Sequence, residues 1–151
     1  MSEPMFDSRS PRHELPYLFP GQAQKEGHVN EALARIDALL HMLVEGAANV
    51  PPSEPGEGTS WLIGPDATGD WAGRSGQIAT LSAGNWIFFS PRAGMHVTDR
   101  VTGQCMRYRN GWQIPARPDL PTGGTTADTE ARAAISAIVD VLTQAGLLAA
   151  E

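Results

Sequence analysis

A chain of 151 residues suits a single domain able to bury about 70% of the surface its unfolded form exposes. A hydrophobic fraction of 41% with 19% charged residues excludes disorder throughout, while 16 Gly and 12 Pro point to many turns and short strands. Ten Arg and the single Lys25 stand scattered against 17 acidic residues for a net charge of −6, which lacks the basic footprint of a nucleic-acid binder.

Residues 1–21 hold Pro4, Pro11, Pro16 and Pro20. That density prevents a helix, so the segment reads as an extended arm. Its apolar triplet Tyr17, Leu18 and Phe19 needs burial, and the expectation is that these side chains anchor the arm on a neighbouring subunit, with packing on its own helix and sheet as the alternative. From Gln22 the pattern changes: Val29, Leu33, Ile36, Leu40 and Leu43 step by four, three, four and three, a heptad seam. With Gly46 as a terminal cap, the spacing predicts an N-terminal helix over 22–47, its seam packed on the protein's own sheet, with a short coiled coil as the alternative.

The breaker cluster "VPPSEPGEG" at 50–58 ends the helical region. Short strand candidates follow at 60–64, 76–81, 85–90, 95–99, 103–109 and 112–115, a small antiparallel meander within 48–120. Two stretches repeat a theme: "SGQIATLSAGNW" at 75–86 and "TGQCMRYRNGW" at 102–112 both run from Gly-Gln through strand-forming residues to a turn and a Trp. They read as successive hairpins of one sheet, with Asn110-Gly111 predicted to form a tight type I′ turn. The segment 121–151 holds a second helix, capped by Asp128 and stopped at Gly146. Its stripe of Ala131, Ile135, Ile138, Leu142 and Ala145, widened by Val139 and Val141, is too apolar for one small sheet to cover, so Ile135, Ile138 and Leu142 are the candidate oligomerisation residues. The fold class is α+β: arm, helix, meander and terminal helix as one folded domain.

Chemistry-bearing patterns are sparse. His13, His28, His41 and His96 lie at no metal-binding spacing, the glycine-rich stretch at 64–76 lacks a Gly-Lys-Ser/Thr, and Asp66, Asp70, Glu54 and Glu57 sit in turns where solvated acids are ordinary. The expectation is a non-enzyme with no cofactor and no metal. Cys105 alone forms no internal disulfide, and neither a secretory leader nor a membrane span is evident, which fits a chain folded in a reducing cytoplasm. Trp86, Tyr108 and Trp112, with Trp61, Trp71 and Phe88, are either the core of a thin sheet or a ledge on which sugar rings stack.

Two segments carry a family resemblance: "LPYLFPGQAQKEGHVNEALARID" at 15–37 and "PPSEPGEGTSWLIGPDATGDWAGRSGQIA" at 51–79. Together they resemble the uncharacterised domain found in fibre and spike proteins of tailed phages and of alphaproteobacterial gene transfer agents, over roughly residues 6–115, and the final helix is similar to the closing helix of many such proteins. The resemblance implies a virion structural component assembled in the bacterial cytoplasm. Its implied partners are further copies of itself as a trimer or pentamer, capsid proteins and spike-fibre proteins. Leu81 and Met95 stand where the family pattern often has Trp, and the short chain without a receptor-binding tip is most like a head-spike base or adaptor. The leading expectation is therefore a base that joins capsid to fibre. A carbohydrate-binding module contacting host polysaccharide is the alternative, and a glycan hydrolase the third.

Overall fold

The computed structural model describes residues 9–19, 21, 25–124 and 128–149. The chain divides into two compact units, residues 1–91 and 92–151. Helices lie near both ends and two small, mostly antiparallel sheets lie between them, which is an α+β fold.

In the first unit, α1 (Glu26–Leu39) is followed by the two-residue strands β1 (Leu43–Val44) and β2 (Ala47–Ala48). The helix is therefore shorter than the 22–47 read from the heptad seam. Residues 22–24 lie outside the described residues, and the far end stops where Leu40 turns extended and His41 takes φ 45°. Leu43 belongs to β1, and Gly46 takes φ 137° between two strands instead of capping a helix.

The first sheet runs β2, β3 (Ser60–Ile63), β4 (Ile78–Ser82) and β5 (Asn85–Phe89). The β2–β3 pair is parallel, with Ala47 opposite Leu62; the others are antiparallel. Strand β4 is central, and four of its five residues are buried because both faces are covered. On one face Ile63, Trp71 and Ala79 form the core, with Trp61, Trp86 and Phe88 packed against them. Trp71 arrives on a 3-10 turn, Gly69–Trp71, folded back over the sheet, and it is completely buried. Within the sheet, Ser60 and Thr80 sit opposite each other and share a 2.8 Å hydroxyl hydrogen bond, which satisfies two buried polar groups.

Turn chemistry explains the β4–β5 hairpin. Ala83 and Gly84 both have positive φ, 49° and 70°, as a two-residue type I′ loop demands. The Glu57 carboxylate accepts from both of their amides, at 2.9 and 2.7 Å, and holds a conformation that Ala adopts reluctantly.

In the second unit, β6 (His96–Asp99), β7 (Cys105–Tyr108) and β8 (Trp112–Gln113) form an antiparallel meander, followed by α2 (Thr129–Gln144). The two Gly-Gln-to-Trp stretches are thus both hairpins, but of different sheets in different units. Neither Asn110 nor Gly111 has positive φ, so the second turn is not the predicted type I′. The cap of α2 is as read from the sequence: the Asp128 carboxylate accepts from the Ala131 amide at 2.8 Å. Gly146, at φ 71°, ends the helix. It lies so close to the Gly103 carbonyl that a Cβ would collide there, and its own carbonyl accepts from the Cys105 amide at 2.8 Å.

Candidate functional site

The candidate residues fall into three groups, and the structure brings them together unevenly. The stripe on α2 faces outward. Ile135, Ile138 and Val141 are 43%, 59% and 62% exposed, Leu142 is half-buried, and the one buried residue of the helix is Val139. The helix turns Ser136, Val139 and Thr143 towards its own unit and leaves much of its apolar surface in solvent.

The arm is not simply extended. Residues 9–16 double back, with Arg9 and Pro16 in an antiparallel bridge and the Ser10 amide donating to the Leu15 carbonyl at 3.0 Å. This loop docks on α1 of its own chain through the face that the sequence marks as polar. Asp37, 2% exposed, accepts from the Ser10 hydroxyl at 2.6 Å, from the His13 amide at 2.7 Å and from the Arg12 amide at 3.1 Å. The Arg12 guanidinium meanwhile donates to the carbonyls of Asp37, Ala38 and His41, partners for carbonyls that the end of α1 leaves open. Two turns earlier, Asn30 clamps Leu18, accepting from its amide at 2.8 Å and donating to its carbonyl at 3.0 Å.

Of the three arm anchors, Tyr17 and Leu18 are half-buried and Phe19 is 37% exposed. Burial raises the Tyr17 phenol above its ordinary range, and a hydrogen bond with Ser82 pulls it partly back. Because Asn30 and Asp37 point at the arm, the predicted seam points elsewhere. Val29, Ile36 and Leu40 are 39%, 47% and 41% exposed, which corrects the expectation that they pack on the chain's own sheet.

The aromatic candidates separate. Trp86 meets Trp71 edge to face at 5.2 Å and Trp61 at 5.9 Å, so it belongs to the core of the first unit. The Arg74 guanidinium lies 3.8 Å over Phe88 beside it. Tyr108 and Trp112 do come together, in the second unit, at 5.2 Å and an angle of 66°, both half-buried. Arg107 in β7 and Arg109 directly after it flank Tyr108 in sequence, and both are exposed. The two arginines line a concavity of about 680 Å³ with Trp112, Gln113, Ile114 and Pro115, and a second of about 470 Å³ with Ala93, Gly94 and Asn110.

Among the described residues, no group of three His, Cys, Asp or Glu side chains is placed to hold a metal ion. Nor, among them, is any helix long and apolar enough to cross a membrane.

The family model described as "Protein of unknown function (DUF2793)" matches residues 29–113. The chain belongs to this family. No individual curated protein matches the sequence. The DUF2793 segment runs from α1 to β8 and so includes both sheets, whereas the arm and α2 lie outside it.

Sequence reasoning missed the Asp37 and Asn30 contacts because it treats polar helix residues as outward-facing. An Asp and an Asn seven residues apart on one helix, next to a proline-rich segment full of unpaired amides, was the available signal.

Proposed function

We propose that this DUF2793 protein is a homo-oligomeric virion structural protein. It is the base or adaptor of a head spike or fibre in a phage-like particle of the gene transfer agent type, and it joins capsid to fibre. The observation that carries the reading is the outward apolar face of α2, where Ile135, Ile138 and Val141 are between 43% and 62% exposed. A fully buried aliphatic side chain contributes about 1.5–3 kcal/mol relative to an exposed one, so a face of this kind favours a partner over water. The resemblance of residues 15–37 and 51–79 to spike and fibre proteins supports the particle context. The carbohydrate alternative calls for an exposed coplanar aromatic pair. Tyr108 and Trp112 are half-buried and meet at 66°, which lends it no support.

Two measurements test the proposal. Native mass spectrometry of the purified chain is expected to give a trimer or pentamer, and Ile138→Asp is expected to give monomers that stay folded by circular dichroism, since the residue is 59% exposed within the monomer, with an unfolding temperature lowered by no more than the lost association. Particles purified from the producing cells are expected to contain the chain at a fixed ratio to capsid protein. A monomeric parent protein, or particles that lack it, refutes the reading.

A further inference from the structure

Formal charge is unevenly divided between the two units. Residues 1–91 contain 5 basic and 11 acidic side chains, and residues 92–151 contain 6 of each, so the whole net charge of −6 belongs to the first unit. Most of these charges are already engaged. Arg9 pairs with Glu14, Arg35 with Glu31 and Arg117 with Asp140, Asp99 and Asp128 cap backbone amides, and Glu57 holds the β4–β5 turn.

Two exposed pairs are not. Arg107, in β7, and Arg109, directly after the strand, stand two residues apart and exposed, and among the described residues their guanidiniums make no hydrogen bond or ion pair. The two concavities they border are lined by no acidic side chain. In the first unit, Asp66 and Asp70 lie four residues apart in the loop after β3, exposed and likewise without a partner among the described residues. That loop is tied down at several points. The Thr68 amide donates to the Asn49 carbonyl at 2.8 Å, the Ser75 hydroxyl to the Pro65 carbonyl at 2.8 Å, and the next residue, Trp71, is anchored in the core.

We infer that the Arg107/Arg109 ridge docks the loop of residues 65–70 of a second copy of this chain, its guanidiniums receiving the carboxylates of Asp66 and Asp70. Guanidinium and carboxylate match in shape as well as sign, and a pre-ordered loop loses little freedom on binding. The contact is head-to-tail: each copy offers one loop and one ridge, a geometry that closes into a ring when the rotation allows. A nucleic acid is disfavoured because the chain as a whole is anionic. The interface uses residues other than those of the α2 face and sets which surfaces of neighbouring copies meet, the role charges fill best at an interface.

The test uses the full chain and sedimentation velocity. Arg107→Glu with Arg109→Glu, and separately Asp66→Lys with Asp70→Lys, are each expected to weaken self-association on the order of 10–100-fold, because each sets like charges against each other. Both variants should keep the parent's far-ultraviolet circular dichroism spectrum, since all four residues are exposed in the single chain. Mixing the two variants should restore association, as the intact loop of one meets the intact ridge of the other and the two reversed patches pair. Raising the salt concentration should weaken the parent complex. If the arginine reversal misfolds, Arg107→Gln with Arg109→Gln replaces it, with a smaller loss in the same direction. Failure of the mixture to associate overturns the inference. So does a parent oligomer that survives both charge variants but dissociates in Ile138→Asp, a result that leaves the adaptor reading standing. A ridge variant that loses binding to a uronate-bearing polysaccharide while self-associating normally also overturns it and assigns the ridge to a glycan.

Discussion

Asp37→Ala is the most informative single substitution in the first unit. The carboxylate is 2% exposed and accepts three hydrogen bonds from the arm, so its removal strands a hydroxyl on Ser10 and the amides of Arg12 and His13. A hydrogen bond to a charged group contributes about 1.5–3 kcal/mol, and a buried donor left unpaired costs about 1–3 kcal/mol; with partial access of water to the loosened loop, the sum for the site is about 3–5 kcal/mol. Against a typical total of roughly 5–15 kcal/mol this is a large fraction. Urea unfolding followed by far-ultraviolet circular dichroism measures it. Ser10→Ala alone should cost about 1–2 kcal/mol, and the double variant should fall short of the two single effects added together by about 1 kcal/mol or more, because both act on one contact. Removing residues 1–20 should likewise destabilise α1, because the arm supplies the partners of Asp37 and Asn30. A loss under about 1 kcal/mol for Asp37→Ala, or strict additivity with Ser10→Ala, would show that the arm is not latched through this carboxylate.

Further outcomes follow from backbone geometry and titration. Gly84→Val should destabilise the first unit by about 1–2 kcal/mol in thermal unfolding, because φ is 70° there, whereas Gly111→Val should be nearly neutral, its φ being outside the left-handed range and its surroundings open. Gly146→Ala should cost about 2–3 kcal/mol in the second unit, since it combines φ 71° with a collision at the Gly103 carbonyl; wild-type stability in this variant would refute the close approach. Glu26 and Glu130 both titrate below the ordinary 4.5. The first is held down by its own helix amide and that of Gly21, the second by the Thr129 hydroxyl and then its own amide. Groups with lowered folded pKa values stabilise above the ordinary value and lose that contribution as pH falls through the folded one, so the acid limb of the stability curve should flatten slightly in Glu26→Gln with Glu130→Gln.

Local signals were legible where local chemistry decides the outcome. The Asp128 cap, the Gly146 stop and the strand positions from 60 to 113 all depend on residues within one turn or one alternation. The legibility failed where a distant group intervenes. The hairpin turn expected at Ala83-Gly84-Asn85 is present and takes the type I′ conformation, its amides gripped by Glu57 from 26 and 27 residues away in sequence, whereas Asn110-Gly111, the stronger signature, does not take it. Likewise Val29, Ile36 and Leu40 form a regular stripe, but the helix presents Asn30 and Asp37 to the arm, because unpaired arm amides cost more when buried than the partial exposure of three aliphatic side chains. Among the candidate site residues, the α2 stripe was readable from periodicity. The Arg107/Arg109 ridge was not, since two arginines two residues apart reveal nothing until their neighbours among the described residues are known to leave them unpaired.

The three indoles of the first unit form a closed triangle. Trp61, Trp71 and Trp86 have ring centroids 5.2 to 6.4 Å apart, with both contacts of Trp86 edge to face. The Trp71 ring nitrogen is buried and, among the described residues, has no hydrogen-bond acceptor. Transition dipoles held so close and at fixed angles couple, and the protein should show an exciton couplet that vanishes when this cluster comes apart. The second unit has its own chromophores in Tyr108 and Trp112, a smaller and differently oriented pair. Each half of the chain therefore carries an optical signature of its own, and a single sample, observed at two wavelengths, would reveal which half lets go first.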